Sequence, residues 1–252
     1  MHDENTLYLE CRSGISGDMT VAALLDLGAT EEHLREELRK LPVDGYEIQV
    51  KKVVKSGLQV SDFDVILEHE APAHTHDHMH THVHRSWADI EKMLLESDLK
   101  PRVKALSLQM FRTVAEAEAH VHGRSIAEVH FHEVGAVSSI VDIVGTAACL
   151  DELNVDKVLV SELTEGCGHV HCQHGELPVP VPAVLEIAAA HHLTLHQMDQ
   201  EGEMVTPTGA AIAALSEGQC PGAYCVKKIG MGAGKREYKT TNILRAMLIE
   251  EK

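Results

Sequence analysis

Aromatic residues make up only 3% of this 252-residue sequence, so its core must rest on Leu, Val, Ile, Ala and Met. Positive charge is also scarce. Lys and Arg number 22 against 39 Asp and Glu, for a formal net charge of −17, and no basic tract offsets it. Binding nucleic acid or an anionic lipid surface depends on neutralising phosphates with Lys and Arg, so both partners are excluded and cations are favoured. No apolar run approaches the roughly 18 residues of a membrane helix. The start, MHDENTLYLECRSG, lacks a charged segment leading into an apolar one, so no signal peptide is visible. Six cysteines do not make a disulfide scaffold in a chain this long. The expected location is the cytoplasm, with reduced thiols.

What is abundant is histidine, with 19 copies. Apolar content is ordinary at 44%, enough for one large domain or two small ones. Thr6–Cys11 reads as a short buried strand, followed by a Gly-rich turn and a helix that Gly28 closes. Thr30 caps the next helix. Tyr46–Val54 and Leu58–Glu68 alternate around Ser56–Gly57, which predicts a hairpin. Helices are expected over Trp87–Glu96, Pro101–His122, Ser138–Leu153 and Ala183–Ala190, and from Pro207 behind a Thr206 cap. Val129–Glu133 and Val158–Ser161 look extended, and Val226–Ile229 and Ile243–Ile249 are candidate closing strands. The fold class is α/β or α+β, with helices packed on mixed sheets and a His-rich flexible insertion. The expected organisation is a small α/β unit over residues 1–69 with a Gly-rich loop, a His-rich loop over 70–85, and a larger α/β unit over 86–252.

Four segments carry chemistry. His74, His76, His78, His80, His82 and His84 occupy every second position, with Asp77 among them. Imidazole suits Ni²⁺, Cu²⁺ and Zn²⁺; the plain alternative is a solvated loop that binds metal incidentally. His120–His122 and His130–Glu133 read H-V-H and H-F-H-E. In an extended segment His130 and His132 share a face, as two ligands of one metal should, with Glu133 as a partner or base. Asp142 follows among Ile140, Val141, Ile143 and Val144 and needs a partner if buried. Cys167–Gly175 places two cysteines and three histidines within eight residues, a thiolate and imidazole set suited to Zn²⁺ or Ni²⁺ that Cys220 and Cys225 could complete. Ser13–Met19, S-G-I-S-G-D-M, lies between a strand and a helix, where glycines let backbone N–H groups approach a phosphate, while Asp18 could hold a cation. It is neither a Walker loop nor a dinucleotide fingerprint, and a tight turn is the plain reading. Val205–Ala211 is a second candidate anion-binding helix start, and Gly230–Gly234 a weaker third.

Together SGISGDM (13–19), VHFHEVGAV (129–137), SIVDIVG (139–145), HGELPVPVPA (174–183), GEMVTPTGAA (202–211) and GMGAG (230–234) resemble the family of nickel-insertion proteins of lactate racemase maturation, the pyridinium-3,5-bisthiocarboxylic acid mononucleotide nickel chelatases. The resemblance implies an enzyme of the lyase class that inserts Ni²⁺ into that nucleotide, making two Ni–S bonds and one Ni–C bond, with CTP hydrolysis and Mn²⁺ or Mg²⁺. It implies nickel recruitment by His74–His84 and nickel handling by His130 and His132. It also implies catalytic carboxylates at Glu133 and Asp142. Phosphate would be held by Ser13, Gly14, Ser16, Gly17, Asp18, Thr206, Thr208 and Gly209. Expected partners are the nickel-free nucleotide, the family's C-terminal domain, which this sequence lacks, and a recipient racemase apoenzyme. Ser138 and Glu10 stand where the family pattern has Asp, and Cys167, His169 and His171 look particular to this chain. The competing expectations are a non-catalytic nickel store or metallochaperone and, behind it, a zinc hydrolase centred on H-F-H-E.

Overall fold

The computed structural model describes residues 4–68, 85–131, 136–172, 175–219 and 221–252. In chain order the elements are β1 (Thr6–Glu10), α1 (Gly17–Leu27), α2 (Glu31–Leu38), β2 (Tyr46–Lys55), β3 (Leu58–Leu67), β4 (Arg85–Ser86), α3 (Trp87–Glu96), α4 (Pro101–His122), β5 (His130–Phe131), α5 (Val137–Glu152), β6 (Lys157–Val160), β7 (Leu163–Cys167), β8 (His169–Cys172), β9 (Gly175–Pro178), α6 (Pro182–Ala190), β10 (Leu195–Glu201), α7 (Pro207–Ala213), β11 (Gly218–Gln219), β12 (Tyr224–Ala233) and β13 (Ile243–Glu251). This is an α/β fold with mixed sheets. The main sheet has seven strands in the order β11-β6-β1-β13-β12-β3-β2, and three two-stranded ribbons pair β10 with β7, β4 with β5 and β8 with β9.

Local chemistry accounts for most boundaries. The Thr30 hydroxyl accepts from the His33 N–H, and Ser86 with Asp89 forms a reciprocal capping box on α3. Gly28 ends α1 at a positive φ with its N–H bonded back to Leu24 and Leu25. Ser56 and Gly57 both have positive φ, as a tight hairpin turn between right-twisted strands demands.

The core depends on an unusually close packing of α1 on the sheet. Met19, Val21, Ala22, Ala23 and Leu24 are all buried. A Cβ on Gly230 would stand 2.2 Å from the Ala23 carbonyl oxygen, and one on Gly232 2.0 Å from that of Met19. Gly230 and Gly232 are therefore positions of β12 left without side chains where α1 lies directly on the strand, while Gly234, after the strand, meets Asn242. On the other side α5 buries Ile140, Val141, Ile143 and Val144 completely. In place of large aromatic blocks the core uses small residues at short helix–sheet distances, with Tyr8, Phe63, Trp87, Phe111 and Phe131 as its few buried rings.

Candidate functional site

Strand β1 lies between β6, its parallel neighbour, and β13, its antiparallel one. The Ser13–Met19 loop leaves the end of β1 and meets the chain entering α7. The Ile15 N–H donates to the Met204 carbonyl at 3.0 Å, and the Thr206 N–H donates to the Ile15 carbonyl at 3.1 Å. Two of the segments singled out in the sequence are thus one structural unit.

Their glycines serve this contact. Gly14 has a φ of +85°, and a Cβ there would fall 2.0 Å from the Met204 carbonyl oxygen. A Cβ on Gly209 would fall 2.0 Å from that of Ile15, and one on Gly17 2.6 Å from the Asp142 carboxylate. Ser13 is buried and donates to the Thr241 carbonyl at 2.8 Å, and Thr208 is buried within α7. Of the expected phosphate residues, Ser16, Asp18 and Thr206 line a cavity of about 150 Å³.

The other wall of that cavity comes from Glu203, which falls in the GEMVTPTGAA segment, and from Lys235, Arg236, Tyr238 and Asn242, which no motif had marked. The only sequence signal was a Lys-Arg pair directly after the glycines of β12, in a chain short of positive charge. Lys235 donates to the Asp62 carboxylate at 2.6 Å and the Phe63 carbonyl at 2.9 Å. Arg236 donates to the Glu203 carbonyl at 3.2 Å, and the Tyr238 hydroxyl donates to the same oxygen at 2.8 Å. Beneath them Glu165, fully buried on β7, accepts through one oxygen from the N–H groups of Gly166, Met204 and Val205 at 2.8, 2.6 and 3.2 Å.

Asp142 turns toward the Ser13–Met19 loop. Its Oδ1 is shut off from solvent without a hydrogen-bond partner. Burial, then the negative charge of Asp18, push its carboxyl well above the usual range, with Lys235 opposing. Asp18 is raised too, by burial, although Ser16 donates to it at 2.5 Å. For Asp142 the folded state therefore holds the proton more tightly than the unfolded chain. Stability is lost as pH rises from the ordinary carboxylate range through the folded pKa. We expect Asp142→Asn to stabilise the fold at pH 7 by on the order of 1 kcal/mol, because each unit by which folding raises the carboxyl costs about 1.4 kcal/mol above that range and an amide does not titrate. The gain should fade toward pH 4. Urea titrations at the two pH values measure it, and an equal or negative change at pH 7 would refute the unpaired-charge reading.

His130 is exposed on β5, where its backbone pairs with Ser86 of β4, and it acts electrostatically on Asp89. His132, Glu133 and the histidines from His74 to His84 lie outside the described residues. In the ribbon of β8 and β9, His169 and His171 are exposed while Val170 and Cys172 are half-buried. His122, His171 and Cys172 line a second cavity, of about 360 Å³, with Val121, Val170, Leu177, Val181 and Pro182. Among the described residues no three His, Cys, Asp or Glu side chains gather as a metal-holding group. No helix among them is long and apolar enough to cross a membrane.

The model of the nickel insertion protein family matches residues 7–252. The chain is 52% identical to the pyridinium-3,5-bisthiocarboxylic acid mononucleotide nickel insertion protein of Alkaliphilus metalliredigens, over 98% of this chain and 61% of that protein. It is 48% identical to the protein of the same name from Acetivibrio thermocellus, over 96% and 60%, and 44% identical to that of Clostridium kluyveri, over 97% and 62%. The chain thus spans about three fifths of the length of these curated relatives. No solved structure matches it.

Proposed function

The chain belongs to the nickel insertion protein family, and from that premise we propose that it binds Ni²⁺ and takes part in inserting it into pyridinium-3,5-bisthiocarboxylic acid mononucleotide to form the nickel-pincer cofactor. Ni²⁺ is here a substrate. Each insertion makes two Ni–S bonds and one Ni–C bond, and the ring C–H gives up its proton to a carboxylate, for which Glu133 and Asp142 are the candidates.

The observation that carries this reading is the β4–β5 ribbon. Arg85 directly follows the histidine run ending at His84 and pairs with Phe131, and Ser86 pairs with His130. Arg85 and Ser86, directly after the tract, are therefore tied by backbone pairing to the strand that bears His130. That arrangement suits a recruiting segment that passes metal to His130 and His132, since imidazole binds Ni²⁺ well at either place. CTP hydrolysis with Mn²⁺ or Mg²⁺ belongs to the same proposal, with the family's C-terminal domain and a recipient racemase apoenzyme as partners. We place the reaction in the cytoplasm, a location supported by the free thiols of Cys11, Cys149, Cys167, Cys172 and Cys225.

Calorimetric Ni²⁺ titration of three proteins tests it: the untagged chain, a chain lacking residues 74–84, and His130→Ala/His132→Ala. We expect the deletion to keep about one tight Ni²⁺ and the double variant to lose it. Loss of all tight binding with the tract would make the chain a nickel store or metallochaperone and withdraw His130 and His132 as ligands. Tight Zn²⁺ binding in preference to Ni²⁺ would favour the hydrolase.

A further inference from the structure

The small cavity beside Thr206 and the larger one beneath the β8–β9 ribbon have two lining residues in common, Glu203 and Arg236. The small one is lined by the Ser16, Thr206 and Tyr238 hydroxyls, the carboxylates of Asp18 and Glu203, the cations of Lys235 and Arg236, and Met19 and Met204. The larger joins an aliphatic part, Val121, Val170, Leu177, Val181 and Pro182, to Glu118, His122, His171 and Cys172. Arg236 is anchored at their junction by the neutral Glu203 carbonyl. Lys235 is committed to Asp62 and Asp64, which leaves Arg236 as the more available cation. Beside it the Thr206 oxygen accepts from the Gly209 N–H at 3.0 Å, so its own O–H can donate elsewhere. Asn242, buried against Gly234, also lines the small cavity, and its Oδ1 has no partner.

We propose that the two cavities form one nucleotide groove in which Arg236, with the Thr206 hydroxyl, holds the phosphate monoester while the pyridinium ring lies in the larger cavity beside His122, His171 and Cys172. The inference rests on the insertion reading above and names its phosphate-binding residue. A guanidinium fork matches a phosphate's oxygens where an ammonium is only a point charge. The aliphatic side chains of the larger cavity would pack against the ring.

The test is calorimetric binding of pyridinium-3,5-bisthiocarboxylic acid mononucleotide, and of the nucleoside that phosphatase leaves from it, to the chain and to Arg236→Ala and Arg236→Lys. We expect Arg236→Ala to weaken the mononucleotide about tenfold or more, the scale of a lost charge-assisted hydrogen bond. Nucleoside affinity should be unchanged, and Arg236→Lys should recover part of the loss. Mononucleotide binding that survives Arg236→Ala, or an equal loss for both ligands, overturns the phosphate assignment and leaves the insertion reading standing. If the unaltered chain binds neither ligand, the insertion reading falls and the groove with it.

Discussion

Glu165→Ala should destabilise the fold by about 3–5 kcal/mol, because it strips the acceptor from several buried backbone N–H groups at once. One Glu165 oxygen receives the N–H groups of Gly166, Met204 and Val205, and the residue is fully buried. A polar group buried without a partner costs far more than the same bond gains when made, so the loss exceeds that of a surface ion pair. The damage should also reach function, since Met204 and Val205 bring the chain to Ile15 and Met204 lines the small cavity. Glu165→Gln retains an acceptor oxygen and should lose much less. Urea unfolding of both variants measures the difference. Equal midpoints for Glu165→Ala and the parent would mean that the Met204–Val205 segment is held by other contacts.

Gly209→Ala should cost about 3 kcal/mol, at the upper end of what overpacking a tight core costs. The added Cβ would lie 2.0 Å from the Ile15 carbonyl oxygen and 2.5 Å from its carbon. Neither atom can retreat freely, because Ile15 is bonded to Met204 and Thr206 on its two sides. Either the turn opens or α7 shifts, and both separate Ser16 and Asp18 from Thr206 across the cavity. Nucleotide binding should therefore fall together with stability, whereas an ordinary helix accepts Gly→Ala with a gain. A thermal melt and one binding isotherm decide it: a variant that melts at or above the parent temperature would show that the loop and helix are not in the close contact described.

These two predictions show where sequence reasoning succeeded and where it stopped. Ser13–Met19 and Thr206–Gly209 were legible as glycine-bearing helix starts, and the structure joins them. The physical role assigned to the glycines was nevertheless incomplete. Absence of a side chain marks a close approach, and only the packing tells whether the neighbour is a ligand or another carbonyl. Gly230 and Gly232 illustrate this best, as they belong to a strand lying directly under α1. Lys235, Arg236, Tyr238 and Glu165 belong to no motif, because the groups they meet, Asp62, Glu203 and Met204, are distant in sequence.

Local chemistry was enough to place the helix caps at Thr30, Thr206 and Gly28, the hairpin at Ser56–Gly57 and the buried face of α5. Those features depend on backbone hydrogen bonds and side-chain spacing within a few residues. The ordered run of motifs was likewise enough to identify the family. The strand order was beyond it, because pairing β1 with both β6 and β13 is settled by which faces bury together across more than a hundred residues. That pairing draws the loop after β1, the turn before α7 and the segment after β12 around one cavity, with Asp142 of α5 packed behind the loop at Gly17. A carboxylate that reads as one polar residue in an apolar helix becomes there a raised, unpaired acid beside Asp18. Its chemistry comes from desolvation and neighbouring charge, which exist only once the chain has folded.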